Sequence, residues 1–283
     1  RMPASRPRTA EDDEFDEANA ILAELRRRAA SGESDLPWGE CAERGWSEDG
    51  VLHVTREYEV PGGAGLERLR IREFPYAAHP RPGAGSSTGG VVWAGALALS
   101  ELLRERWTEL GGSGPRVRIL EIGAGCGLPG LVAAALAGGG AEVALTDGDE
   151  APLDNLRHNV AVNADRIAAH VRVAHLVWEE VLDGRAVPPM EEVDLLLGSD
   201  VIWGERGPLV GRLALRLVRP GGRLVITAET GREGLNAFES VVADARGSQA
   251  ADSPGGPMFD VDTCSATAAG ETFVHYVCRR RAA

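Results

Sequence analysis

The sequence predicts an α/β protein: a doubly wound, mostly parallel sheet of seven strands with one antiparallel strand, preceded by an N-terminal helix and β-hairpin. Three observations carry that prediction. Beyond Gly90, short apolar runs alternate with stretches of three-and-four apolar spacing, which is the pattern of strands and helices in turn. A dense glycine run, Gly123 to Gly130, follows the first of those strands, as in sheets that bind ligands at their strand ends. A Pro/Gly/Ser-rich joint, Pro80 to Gly90, sets this region apart from an extension of different pattern. The chain therefore divides into an extension, residues 1–84, and a main domain, residues 85–283.

In the extension, residues 1–14 are charged and read as disordered. Phe15, Ala18, Ile21, Leu22, Leu25 and Ala29 then fall at helical spacing, with acids before them and Arg26–Arg28 after, which suits the helix dipole. Leu52, Val54, Tyr58 and Val60 alternate, as do Leu69 and Ile71, and Pro61–Gly65 between them predicts a hairpin.

In the main domain, Val92, Ala96, Leu99, Leu103, Trp107 and Leu110 mark one face of a long helix. Val117–Ile122 is the first strand, Leu128–Ala137 a helix stopped by three glycines, and Glu142–Asp147 the second strand. A helix over Asp149–Asn163 turns Leu153, Leu156 and Val160 inward, and Asn159 and Asn163 on it read as structural. Val171–Trp178 and Val193–Asp200 are the third and fourth strands, and a helix over Pro208–Val218 leads to a fifth at Arg223–Ala228. Leu235, Phe238 and Val242 mark a last helix. Met258–Thr263 and Thr272–Cys278 follow with no crossover helix between them, which makes one strand antiparallel.

Composition sets the outer limits. With 283 residues, 43% of them hydrophobic and 26% charged, the chain can bury a real core. The longest apolar stretch, Leu128–Ala137, falls short of the roughly 20 residues a membrane helix needs. Arg1–Ala10 lacks an apolar segment behind it, and the acids of Glu11–Glu17 argue against a transit peptide. Cys41, Cys126, Cys264 and Cys278 lie far apart, so free thiols in the cytoplasm, with the nucleus also open, are the expectation, and no metal site is. The net charge is −13, and all 30 basic residues are arginine. Such a balance disfavours nucleic acid and favours a basic partner.

The informative segment is Leu120-Glu-Ile-Gly-Ala-Gly-Cys-Gly-Leu-Pro-Gly130. Two registers fit it. Gly125-x-Gly127-x-x-Gly130 with Asp147 downstream suits a dinucleotide, which would make the chain a nicotinamide-dependent oxidoreductase. Glu121-x-Gly123-x-Gly125-x-Gly127 suits a methyl donor, because a carboxylate beside the glycines favours a ligand with a free amino group and not a pyrophosphate. In either register Asp147 ends a strand where a carboxylate can accept ribose hydroxyls.

Further segments occur in order: Gly90-Val-Val-Trp93-Ala, Leu145-Thr-Asp147, Asn155…Asn159…Asn163, Leu176-Val-Trp178, and Asp194-Leu-Leu-Leu-Gly-Ser-Asp200-Val-Ile-Trp203. Together with the glycine segment the series resembles the non-SET protein-lysine methyltransferases, the methyltransferase-like 21 group and its relatives, over roughly residues 88–230. The resemblance implies a Rossmann-like class I methyltransferase sheet, S-adenosyl-L-methionine as donor with S-adenosyl-L-homocysteine as product, and transfer to a side-chain amine of a protein with a basic segment. A monomer is the expectation, and the acidic charge and short apolar stretches lead to the expectation that it binds neither nucleic acid nor membrane. Carried over by position, Trp93 borders the methionine end of the donor, and Gly123, Ala124 and Gly125 lie against its carboxylate and ribose. Asp147 holds the ribose, Trp178 the adenine, and Ser199 touches the donor. Asp200 faces the accepting nitrogen, with Trp203 lining its channel. Ala94 stands where the family often has proline, and Trp203 where Tyr or Phe is commoner. Other readings of the pocket are a histidine or small-amine methyltransferase and a donor-binding scaffold without activity.

Overall fold

A computed structural model of the chain describes residues 40–46, 52–62, 65–74, 88–243 and 258–281. The helix expected over residues 15–29 lies outside them.

Three strands open the described part: β1 (Glu40–Trp46), β2 (Leu52–Gly62) and β3 (Gly65–Glu73), paired antiparallel in the order β1-β2-β3. The expected hairpin is β2–β3, its register closing at Gly62 opposite Gly65. β1 is an addition. Its sequence, Glu-Cys-Ala-Glu-Arg-Gly-Trp, lacks clean alternation, and a bulge between Cys41 and Glu43 breaks its pairing with β2.

A single 3-10 turn over Thr88–Gly90 leads to α1 (Ala94–Arg106). The expected apolar face of this region is the buried one: Val92, Ala96, Leu99, Leu103, Trp107 and Leu110 are all buried. Then follow β4 (Arg118–Glu121), α2 (Leu128–Ala137), β5 (Glu142–Asp147), α3 (Glu150–Val162) and β6 (His170–His175). A short α4 (Trp178–Leu182), β7 (Val193–Ser199), α5 (Arg206–Leu217), β8 (Val218–Glu229) and α6 (Leu235–Ala243) continue the winding. β9 (Phe259–Ala268) and β10 (Glu271–Arg280) end it as a hairpin.

The seven strands stand in the order β6-β5-β4-β7-β8-β10-β9. β4 through β8 pair in parallel, and β10 enters antiparallel between β8 and β9. The order separates the two registers of the glycine segment. A dinucleotide-binding sheet runs 3-2-1-4-5-6 with every strand parallel, whereas this one inserts its last strand in reverse between the fifth and sixth.

Strands buried on both sides explain the core. One apolar cluster combines Leu99, Leu103, Leu131 and Leu145 with Tyr58, Val60, Leu69 and Ile71 of the N-terminal sheet. The other combines Leu120, Leu196, Leu213, Leu224 and Phe238.

The N-terminal sheet is fastened by a ladder of asparagines. On α3 and at its C-cap, Asn155, Asn159 and Asn163 recur every fourth residue and so share one face. Asn163 Oδ1 accepts the Arg70 N–H (2.8 Å) and its Nδ2 donates to Arg70 O (2.8 Å). Asn159 treats Arg72 in the same way (2.8 and 3.1 Å), and Asn155 Nδ2 also donates to Arg72 O (2.8 Å). Side-chain amides thus stand in for a neighbouring strand along the edge of β3, which would otherwise present unpaired backbone groups.

Candidate active site

The strands β4, β5 and β7 end on one edge of the sheet, so the turns leaving them bring the glycine loop, Asp147 and Asp200 together. Two glycines are required by geometry. Gly125 has φ +52°, and a Cβ there would stand 3.2 Å from Gly89 O. Gly127 has φ +82°, and a Cβ there would meet Leu156 Cδ1 at 2.4 Å.

The loop is tied to β5. The Ala124 N–H donates to Thr146 O (2.8 Å), and the Gly125 N–H donates to Asp147 Oδ2 (2.9 Å). The other carboxylate oxygen of Asp147 accepts the Asp149 N–H (3.0 Å). Asp147 therefore shapes the loop as well as facing the site. Burial raises its pKa.

Trp93 is half-buried at the N-terminus of α1, its indole N–H donating to Thr88 O (2.9 Å). Trp178 corrects one expectation. It does not end the third strand, because β6 stops at His175; it starts α4 and is only 6% exposed, packed with Leu120, Ile122 and Ala144. Its ring edge borders Gly123, with Cζ2 3.8 Å from where a Cβ of that glycine would lie. The Arg206 guanidinium lies over the rings of both Trp178 (5.4 Å) and Trp203 (4.4 Å), a stack that no sequence signal announced. Ser199 is half-buried at the tip of β7.

Asp200, the next residue, adopts φ +54° while its N–H donates to Thr227 O (2.9 Å). Its Oδ2 accepts the Gly95 N–H from the first turn of α1 (3.0 Å), so it caps that helix across the site. Its Oδ1 is buried without a hydrogen-bond partner. Burial pushes its pKa up to about 6, against the pull of Arg232 and the Gly95 N–H.

Glu121 has a structural role that the sequence did not show. It is 1% exposed, and its Oε2 accepts the Gly130 N–H (3.0 Å), bracing the start of α2 from beneath. Burial pushes its carboxyl to about 8. The carboxylate beside the glycines thus serves the loop's own architecture.

A groove of about 890 Å³ lies elsewhere, between β2, α1 and β9, and none of the candidate residues lines it.

Topology, glycine loop and strand-end acids together define a class I methyltransferase fold. In keeping with it, the T. thermophilus 16S rRNA N2 G1207 methyltransferase superposes with a TM-score of 0.50 at 19% identity, over 91% of this chain and 62% of that one. A family model for lysine methyltransferases matches residues 81–239, more than half of the chain, which belongs to that family. Among relatives, protein N-lysine methyltransferase METTL21A of Danio rerio is 39% identical over 116 residues, 41% of this chain and 48% of that protein. Histone-arginine methyltransferase METTL23 of Xenopus laevis is 37% identical over 118 residues, 41% of this chain and 45% of that protein. The chain spans about half the length of these curated relatives.

Proposed function

We propose that this chain is an S-adenosyl-L-methionine-dependent protein-lysine N-methyltransferase. The observation that carries the reading is the pair of strand-end carboxylates: Asp147 under the glycine loop, and Asp200 with one buried oxygen left unpaired. S-adenosyl-L-methionine supplies an activated methyl group on a sulfonium, so the protein need only bind, align and exclude water. Trp93, Gly123, Ala124, Gly125, Asp147, Trp178 and Ser199 hold the donor, with Asp147 accepting ribose hydroxyls and Trp178, whose ring edge borders Gly123, on the side of the adenine.

Asp200 Oδ1 accepts a hydrogen bond from the acceptor amine and orients its lone pair. A carboxyl of pKa about 6 is too weak a base to strip an ammonium outright, so the proton leaves to water and Asp200 positions. One relative's name specifies arginine, but the family model that matches the chain describes lysine methyltransferases, which favours lysine. A protein acceptor with a basic segment suits the net charge of −13.

The test is calorimetric titration with S-adenosyl-L-methionine, S-adenosyl-L-homocysteine and NADH, followed by radiolabelled transfer into lysine- and arginine-containing peptides. Saturable binding of both adenosyl ligands, lost in Asp147→Ala, with label on lysine, is expected. NADH binding without adenosyl binding overturns the donor, and label on arginine overturns the acceptor.

A further inference from the structure

We infer that Glu73, at the end of the N-terminal sheet, is a positioning residue of the donor site; the inference rests on the methyl-donor reading above. Between β3 and α1 the chain returns through residues 88–93, and this return forms a wall over the glycine loop. Gly89 packs on Gly125, where a Cβ on Gly89 would approach Gly125 Cα to 3.3 Å, and Cys126 Sγ donates to Gly89 O at 3.5 Å. Thr88 O accepts the indole N–H of Trp93. Whatever places residues 88–93 therefore sets the clearance above Gly125 and the pose of Trp93.

Two hydrogen bonds from the end of β3 do this. The Phe74 N–H donates to Gly90 O (2.7 Å), and Glu73 Oε2 accepts the Val92 N–H (3.0 Å). Glu73 is buried, and its other oxygen lies 3.1 Å from Arg56 Nε on β2. A buried carboxylate held by a guanidinium and a backbone N–H is a fixed post and not a surface charge. The post is anchored in turn, since Asn155 and Asn159 grip Arg72, the residue before Glu73, and Asn159 Nδ2 also donates to Cys126 O (3.0 Å). One asparagine thus holds both β3 and the glycine loop, while Glu73 holds the wall that closes on that loop. The N-terminal sheet is part of the donor site's frame.

Glu73→Ala removes the acceptor for Val92, and loss of one buried hydrogen bond of this kind is expected to weaken S-adenosyl-L-homocysteine binding and raise the donor KM about tenfold. The acceptor KM and the kcat at saturating donor stay within about twofold of wild type. Glu73→Gln keeps an acceptor oxygen for the Val92 N–H and loses the ion pair with Arg56, and it is expected to recover most of the loss, leaving donor binding about threefold weak. Both variants are titrated with S-adenosyl-L-homocysteine well below their melting temperatures. Unchanged donor affinity in Glu73→Ala, or donor and acceptor KM rising together, overturns the inference. Should Glu73→Ala not fold, Glu73→Gln decides alone, and wild-type donor affinity in it overturns the inference. A wild-type chain that binds neither adenosyl ligand marks instead the failure of the methyl-donor reading.

Discussion

At Asp200 one side chain combines the observed capping of α1 with the proposed acceptor role, and substitution separates the two. Its Oδ2 caps α1 through Gly95, and its buried Oδ1 is free for the acceptor. Asp200→Asn keeps a capping oxygen and loses the charge, so donor binding is expected to persist while kcat falls about 100-fold; unchanged turnover would remove Asp200 from the mechanism. The pKa of about 6 adds a pH signature. Ionisation strengthens the hydrogen bond that Asp200 accepts from the amine, so kcat/KM should climb through that pH in wild type and lose this limb in Asp200→Asn. Glu121 behaves differently, because burial raises its carboxyl to about 8 and its partner is the Gly130 N–H. The folded state holds the neutral form more tightly than the unfolded state does. Its stabilising contribution is therefore complete below the ordinary carboxyl range and is lost as pH rises through about 8. Glu121→Gln keeps an acceptor for Gly130 and cannot ionise. The melting temperature of wild type should fall relative to this variant from about pH 5 to about pH 9, and parallel curves would mean the carboxyl titrates normally.

Among the elements, α3 bears most on the site, since its asparagines join β3 to the glycine loop. Asn159 is fully buried and bonds Arg72 N–H, Arg72 O and Cys126 O. Asn159→Leu strands the Arg72 N–H and Cys126 O and leaves Arg72 O to Asn155 alone, and a loss of about 2–5 kcal/mol in urea denaturation is expected, with exposed changes on the same helix such as Arg157→Gln within about 0.5 kcal/mol. A loss near that lower figure for Asn159→Leu would show that water replaces the ladder. The fourfold spacing of these asparagines was visible in the sequence, and so were the strand–helix alternation, the face of α1 and the final hairpin, because each is a local period read within one element. What escaped depends on contacts between distant segments. Trp178 reads as strand from its apolar neighbours, yet the chain turns into α4 two residues after β6. Glu121 beside glycines suggests a ligand, yet Gly130 nine residues on takes its carboxyl. Glu73 meets Val92 across the Pro/Gly/Ser joint, and no spacing rule links two residues there. Asp147 and Asp200 were legible as strand-end carboxylates on the edge where such sheets bind ligands, whereas the capping of α1 by Asp200 was not.

For the whole molecule, charge is the feature that reaches the substrate before any contact does. The chain carries 43 acidic and 30 basic residues, every basic one an arginine. These 283 residues therefore contain no lysine, so methyl-lysine recovered after a reaction belongs to the acceptor and not to the enzyme. The carboxyl edge of the sheet adds local acid: Glu229 ends β8 and Glu271 begins β10, close enough to Asp200 to raise its pKa, with Arg232 paired to Glu229 as the offset. A basic segment approaching this edge is drawn in by long-range attraction that salt screens over about 8–10 Å. Raising the salt from about 50 to about 300 mM should raise the KM for a lysine peptide flanked by arginines several-fold, with kcat and donor affinity nearly constant. The same peptide with its flanking arginines replaced by glutamine should start at the higher KM and respond little. Salt-independent KM for both peptides would instead assign acceptor recognition to close contact, for which the exposed face of Trp203, stacked on Arg206 and 40% exposed, is the available surface. Steering and contact thus differ in a single measured slope, and that slope decides whether the net charge of −13 takes part in choosing the substrate.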